Sequence, residues 1–215
     1  MADLDFLGRL EGQVAAMQAA IAAADPGAAV PSCPGWAVRD LTGHIIGVHT
    51  WVTATLGNPA PADFAEPAQD GGADVLAARY GEAGQALLQR LRELPPDAPS
   101  WTFDQHDRTA GFWRRRQLHE VSVHRWDVEP YAMDDDVASD GVDEVIGFLL
   151  PRQIAQGRVT LPPGTLRLVS PDRTWTVGDG EPAAEVQASA QDLLLALWGR
   201  RDLLPSAWRD AKLMP

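Results

Sequence analysis

Glu120 and His124 are the residues of this chain whose types and spacing most directly indicate chemistry. They stand four positions apart in a segment with helical character, so their side chains share one face of the helix. A carboxylate and an imidazole held in this way offer two ligands to a divalent metal. His44, 76 residues before Glu120 in a second helical segment, is the candidate third ligand. Two histidines and one glutamate with a free coordination position are typical of catalytic rather than structural zinc.

Spacing alone leaves two alternatives open at this site. His44 and His49 flank the apolar stripe of their helix on opposite edges, about 140° apart by helical geometry, and either could reach the interior. An acid beside an apolar stripe is costly to bury unless it is paired or bound to metal. Glu120 is therefore expected either to bind metal or to form a hydrogen bond with His124 or an arginine.

The elements that must position these residues are four amphipathic segments in the first 130 positions. Each has one apolar stripe at helical spacing and ends near proline or glycine. Their apolar residues run approximately over positions 4–21, 41–56 (in a segment that follows Trp36), 76–94 and 111–131. Helices of this kind bury their stripes best by packing together as a bundle.

The pattern changes after residue 131. Two acidic stretches, at 134–136 and 139–141, are interpreted as a linker, and a fifth helix follows over 142–154. Alternating runs at 165–169 and 174–177 predict a β-hairpin, and residues 185–188 predict a further strand. Ser189 is the expected N-cap of the next helix. The sequence thus predicts a mainly α protein with a small α+β domain, divided into domains 1–136 and 137–215.

Composition excludes several classes of function. The formal net charge of −12 disfavours binding to nucleic acids and to anionic membranes. No apolar run reaches the roughly 18–20 residues that span a bilayer, and the acidic N-terminus does not resemble a signal peptide. We expect a cytoplasmic protein that is a monomer or a weak dimer and that acts on small molecules.

Two smaller features are interpreted as structural. The run Arg114, Arg115 and Arg116 is the only basic cluster, and we expect it to form a solvated helix face or a helix C-cap. Cys33 is the only cysteine, which excludes a disulfide framework and a cysteine-rich zinc site. Its position beside prolines in a turn favours a structural thiol over a nucleophile.

Two motifs resemble the mycothiol-dependent maleylpyruvate isomerase family. They are the Pro-Gly-Trp…His pattern within residues 30–44 and the Glu-x-x-x-His-Arg-Trp-Asp pattern of residues 120–127. The run 193–200 is similar to the closing motif of that family's second domain. The resemblance implies a DinB-like four-helix bundle followed by a small domain that resembles sterol carrier proteins. It departs at Ala37, where the family has a serine or threonine able to cap the second helix.

The resemblance also implies a ligand set and an activity. His44, Glu120 and His124 would hold a divalent metal, with zinc expected, and His44 is favoured over His49. The cosubstrate would be mycothiol, activated for cis–trans isomerisation of maleylpyruvate or a similar electrophile. The arginine-rich composition, with Lys212 the only lysine among 18 basic residues, fits an actinobacterial source of this thiol.

Three further residues have predicted roles, and three alternative functions remain open. Arg200 is the predicted catalytic residue, clamping an anionic group, although capping a helix C-terminus is an equal alternative. Arg125 and Asp127 are expected to orient ligands or to contact the second domain. A mycothiol S-transferase, a metal hydrolase and a metal-free binding or regulatory bundle remain alternative functions.

Overall fold

The computed structural model describes residues 4–65 and 67–214, and it confirms the predicted architecture of a helical bundle followed by a small α+β domain. The chain divides into two compact units, with the division between Tyr131 and Ala132. The first unit contains α1 (Phe6–Ala23), α2 (Val38–Thr55), α3 (Ala73–Glu93) and α4 (Ala110–Val128).

Helix packing in the first unit explains where a site can form. Helix α1 packs against both α3 and α4, and α2 packs against α3, whereas α2 and α4 make fewer contacts with each other. His44 contacts His124 and Trp51 contacts Trp113, so α2 and α4 run antiparallel. Residues of α2 and α4 that are far apart in the sequence thus face each other, and both imidazoles and apolar rings lie between the two helices.

The start of α2 is set by backbone and carboxylate contacts. Gly35 adopts a φ of +87° in the turn before the helix, a conformation that favours glycine. Ala37 is the N-cap residue and provides no side-chain hydrogen bond, as the alanine side chain requires. Asp40 accepts a hydrogen bond from the Ala37 N–H at 2.7 Å. The first turn of α2 is thus anchored by Asp40 rather than by a serine or threonine cap.

The predicted linker is wrong, because these acidic residues belong to a helix. Helix α5 spans Asp135–Glu144, continues through a π-helical turn at Val145–Leu149 and is followed by α6 (Leu150–Ala155). Asp135 and Asp136 lie in the first turn of α5, where the helix dipole favours negative charge. Consecutive aspartates at this point therefore mark a helix start and not a flexible connection.

The second unit also contains a three-stranded sheet in the order β2-β1-β3. Strand β1 (Gly164–Val169) pairs antiparallel with β2 (Thr174–Asp179), which confirms the hairpin, and parallel with β3 (Pro182–Gln187). The Ser189 side chain accepts a hydrogen bond from the Asp192 N–H at the start of α7 (Ala190–Leu197). The short helix α8 (Ser206–Asp210) was not predicted. Among the described residues, no helix is both long and apolar enough to span a membrane.

Candidate metal centre

His44, Glu120 and His124 lie together between α2 and α4. Glu120 Oε1 is 3.3 Å from His44 Nε2 and 3.5 Å from His124 Nε2. One potential ligand atom from each of the three residues lies within 4.8 Å of the other two. One carboxylate oxygen thus faces both imidazoles, as three side chains directed toward one cation require.

The cluster is buried unevenly. The side chains of Glu120 and His124 are 16% and 11% exposed, whereas that of His44 is 33% exposed. The imidazole of His44 therefore forms the solvent-facing side of the cluster.

Arg116 contacts the other oxygen of the same carboxylate. It forms an ion pair with Glu120 Oε2, one helical turn away on α4, and its side chain is only 6% exposed. The expectation that the arginine run forms a solvated face is therefore wrong for Arg116. Arg114 instead donates to the carbonyls of Leu91 and Leu94 at the end of α3, as a helix C-cap does. The four-residue spacing from Arg116 to Glu120 was a signal that sequence reasoning could have used.

Glu120 is held in its charged form. Burial opposes its ionisation, but the Arg116 guanidinium and hydrogen bonds from His124 and His44 keep the pKa of the carboxyl well below its ordinary value. An ionised carboxylate at neutral pH is the form that binds metal.

Asp127 fixes the orientation of the His124 ring. Its carboxylate lies 3.0 Å from His124 Nδ1 and accepts a hydrogen bond from the Ser32 hydroxyl at 2.6 Å. The Asp127 side chain is fully buried. Burial disfavours the imidazolium form, but Asp127 and Glu120 outweigh this and raise the pKa of His124. With Nδ1 directed at Asp127, Nε2 remains directed at Glu120, and such carboxylate–histidine pairs recur at metal sites.

His49 lies in a different environment from His44. It is fully buried and its ring packs 5.4 Å from that of Tyr80. Burial lowers the pKa of His49 to about 4, although the charge of Glu120 acts in the opposite direction. Among the described residues, neither ring nitrogen has a hydrogen-bond partner. His49 is thus a neutral imidazole of the bundle interior, and His44 is the histidine that contacts Glu120.

A second cluster of possible ligand atoms consists of Cys33, His124 and Asp127. The Cys33 sulfur is 4.0 Å from Asp127 Oδ2, and the cysteine packs against Val30, Val38 and Leu41. A metal there would have to displace the His124–Asp127 hydrogen bond, so the cluster with His44 fits a cation better.

A pocket of about 350 Å³ lies beside His44. It is lined by Gly35, Trp36, Asp40, His44, Phe64 and Gln69. The rings of Trp36 and His44 are 5.3 Å apart. The pocket gives a small molecule access to the exposed side of the cluster.

Arg200 lies in the second unit, just after α7. Its guanidinium donates to the Trp198 carbonyl at 2.7 Å and lies 5.6 Å from the centre of the Trp198 ring. It lines a pocket of about 440 Å³ together with Arg201, Arg209 and Lys212. The contact with Trp198 fits the predicted alternative in which Arg200 caps the end of its helix, and the basic lining fits an anion clamp.

Comparisons with known proteins agree on one family. The family model described as "Mycothiol maleylpyruvate isomerase N-terminal domain" matches residues 7–129, and the "MDMPI C-terminal domain" model matches residues 136–213. A search of curated proteins finds no match.

Two similar solved structures share the fold at low sequence identity. One is a crystal structure of the mycothiol-dependent maleylpyruvate isomerase, with a TM-score of 0.68 and 16% identity over 93% of this chain and 90% of the other. The other is a histidine-to-alanine mutant of a mycothiol-dependent maleylpyruvate isomerase, with a TM-score of 0.69 and 15% identity over 95% and 92% of the two chains.

Proposed function

This chain belongs to the mycothiol maleylpyruvate isomerase family, and on that premise we propose that it is a metal-dependent enzyme that activates mycothiol. The substrate would be maleylpyruvate or a similar small electrophile. The observation that carries this proposal is the convergence of His44, Glu120 and His124 from two helices. The two separate family matches support a division into two domains, with the boundary between residues 129 and 136.

The donor set fits a divalent cation, with zinc the expected one. Two neutral imidazoles and one carboxylate leave net positive charge on such an ion. When bound, the ion would stabilise the thiolate form of a thiol, which is the nucleophilic form. Zinc is not the only metal that these ligand types accept, since nitrogen and oxygen donors also bind nickel, cobalt and iron.

The residues around the cluster would keep it in position for this chemistry. Arg116 holds one oxygen of Glu120, so that the other remains directed at the two histidines. Asp127 holds the Nδ1 side of His124. The pocket beside His44 would give the thiol access to the cluster.

Isomerisation then follows from the reactivity of the thiolate. Its addition to an activated cis double bond leaves a single bond that can rotate, and its expulsion restores the double bond as the trans isomer. The thiol is regenerated, so no other reactant is consumed. Arg200 is the proposed catalytic residue of the second unit and would bind an anionic group. With an electrophile that carries a leaving group, the same thiolate would give an S-transferase.

The test combines metal analysis with a turnover assay. We expect one equivalent of divalent metal per chain and conversion of maleylpyruvate to its trans isomer only when mycothiol is added. Stable thioether formation with another electrophile would favour the S-transferase. A protein that carries no stoichiometric metal and shows no thiol-dependent turnover would instead be a binding or regulatory bundle, and thiol-independent hydrolysis would indicate a metal hydrolase.

A further inference from the structure

The pocket beside His44 is built from two segments that meet on one face of α2. The turn at Gly35 places Trp36 against the His44 ring from one side. Phe64 and Gln69, on the loop that follows α2, also line the pocket. The loop packs so closely on the helix that a Cβ atom at Gly43 would lie 2.6 Å from Gln69, and one at Gly47 would lie 2.8 Å from Phe64.

Hydrogen bonds hold this loop near both of its ends. The Trp51 indole donates to the Ala62 carbonyl at 2.8 Å, and the Ala62 N–H donates to Thr55 at 3.1 Å. Farther along, Arg79 donates to the Asp70 carbonyl at 2.8 Å. Phe64 and Gln69 are thus presented to the pocket by a segment anchored on either side of them.

The lining has the chemistry of a site for a neutral, hydroxyl-rich ring. Trp36 and Phe64 are large apolar side chains that remain 37% and 47% exposed. Their faces can pack against the C–H face of a sugar ring. Asp40 and Gln69 offer a carboxylate and an amide, which exchange hydrogen bonds with hydroxyl groups.

Charge argues against an anionic occupant of the same pocket. Among the described residues that line the pocket there is no lysine or arginine, and Asp40 adds a negative charge. A substrate with two carboxylates, such as maleylpyruvate, would find no guanidinium or ammonium partner among these lining residues. The pocket therefore suits the uncharged polyol portion of a ligand better than the anionic electrophile.

We propose that Trp36, Phe64, Asp40 and Gln69 form a subsite for the sugar–polyol portion of the thiol cosubstrate, beside the cluster at which its sulfur would react. The proposal rests on the proposed function, because mycothiol carries its cysteine thiol on a glucosaminyl-inositol pseudodisaccharide. It assigns Trp36 and Phe64 to recognition of that pseudodisaccharide and to no step of the chemistry.

The test separates sugar recognition from thiol activation by using three ligands. Mycothiol, the thiol-free and uncharged N-acetylglucosaminyl-inositol and N-acetylcysteine are titrated into the zinc-loaded protein by calorimetry. The proteins are the wild type, Phe64→Ala, Trp36→Ala and the control Ile154→Ala, which removes an equally exposed apolar side chain that does not line the pocket.

The subsite predicts a specific pattern of affinities. The wild type and the control should bind mycothiol and the pseudodisaccharide, and a chelator should leave pseudodisaccharide binding intact. Phe64→Ala and Trp36→Ala should each lower the affinity for mycothiol and for the pseudodisaccharide by about tenfold or more. The affinity for N-acetylcysteine should change less than twofold. Phe64→Ala is the cleaner variant, because its exposed ring can be removed with little effect on folding.

Two results would overturn the subsite while leaving the proposed function intact. One is mycothiol affinity that survives both substitutions, and the other is an equal loss of affinity for mycothiol and N-acetylcysteine. If the wild type bound no thiol at all, the proposed function would fail and the subsite with it.

Discussion

Arg116 and Glu120 form a buried ion pair one turn apart on α4, and this pair occupies the carboxylate oxygen that His44 and His124 do not contact. The two oxygens of Glu120 therefore have separate partners, a guanidinium on Oε2 and two imidazoles on Oε1. A metal ion between the imidazoles would share the carboxylate with Arg116 rather than replace it.

Removing Arg116 should make the fold depend more strongly on metal. In Arg116→Met, Glu120 keeps its buried charge without the guanidinium, and breaking a buried pair in this way costs about 3–5 kcal/mol. A divalent cation would restore much of that loss, because it supplies positive charge on Oε1. Chemical unfolding with and without zinc should therefore show a larger zinc-induced gain in the variant than in the wild type.

Arg114→Met is the matched control for this measurement. Arg114 is a neighbouring arginine of α4, but it donates to carbonyls at the end of α3 and does not contact Glu120. Its removal should lower the free energy of unfolding without changing the zinc-induced gain. Equal gains in Arg116→Met and the wild type would show that Arg116 and the metal do not act on the same carboxylate.

Either proposed histidine ligand should be essential for metal and activity. His124→Ala and His44→Ala each leave two of the three donors, and we expect metal content to fall below a tenth of the wild-type value, with loss of turnover. The helices should remain folded by circular dichroism, since the bundle core consists of apolar residues such as Leu10, Leu41 and Leu87. Metal content is measured by mass spectrometry of the purified proteins.

His106→Ala is the control for loss of a histidine, because His106 is exposed in the loop before α4. It should retain full metal content and activity. Retention of stoichiometric metal in His124→Ala would remove the basis of the proposed site.

The sequence predicts the bundle helices better than it predicts the contact between His44 and Glu120. Periodic apolar residues predicted all four bundle helices, because each stripe must be buried. Helical spacing placed Glu120 and His124 on one face, but it could not choose between His44 and His49. That choice depends on how α2 is rotated against α4, which is a property of packing and not of either helix alone. The family motif made the choice where periodicity did not.

Arg116 and the start of α5 show why other features were missed. An arginine is expected to be solvated, and only the position of a buried carboxylate one turn away makes its burial favourable. The aspartates at 134–136 were assigned to a linker from composition, although acids in a first turn stabilise a helix. Strand β3 shows a different limit, since its parallel pairing with β1 cannot be derived from local sequence.

Asp127 should control metal affinity through the His124 ring. Asp127→Asn replaces the carboxylate opposite Nδ1 with a neutral amide, which weakens the ring's orientation and basicity. Loss of such a carboxylate partner costs about 10–100-fold in metal affinity, and competition with a chelator would measure it. Ser32→Ala, which removes only the hydroxyl that donates to Asp127, should have a smaller effect in the same direction. Unchanged affinity in Asp127→Asn would show that His124 is oriented by packing alone.

His49 should make the fold sensitive to acid. Burial lowers its pKa in the folded protein from 6.5 to about 4, so the unfolded chain takes up a proton first as the pH falls. Stability is therefore lost progressively from about pH 6.5 down to about pH 4, and the loss stops growing once the folded protein is also protonated. A shift of this size corresponds to about 3 kcal/mol.

His49→Gln removes the titrating group and should flatten this part of the pH profile, as measured by urea unfolding at pH 7, 5.5 and 4.5 with a chelator present. Because Glu120 and His124 titrate in both proteins, the difference between the two profiles isolates His49, and parallel profiles would show that its imidazole is not held neutral in the fold.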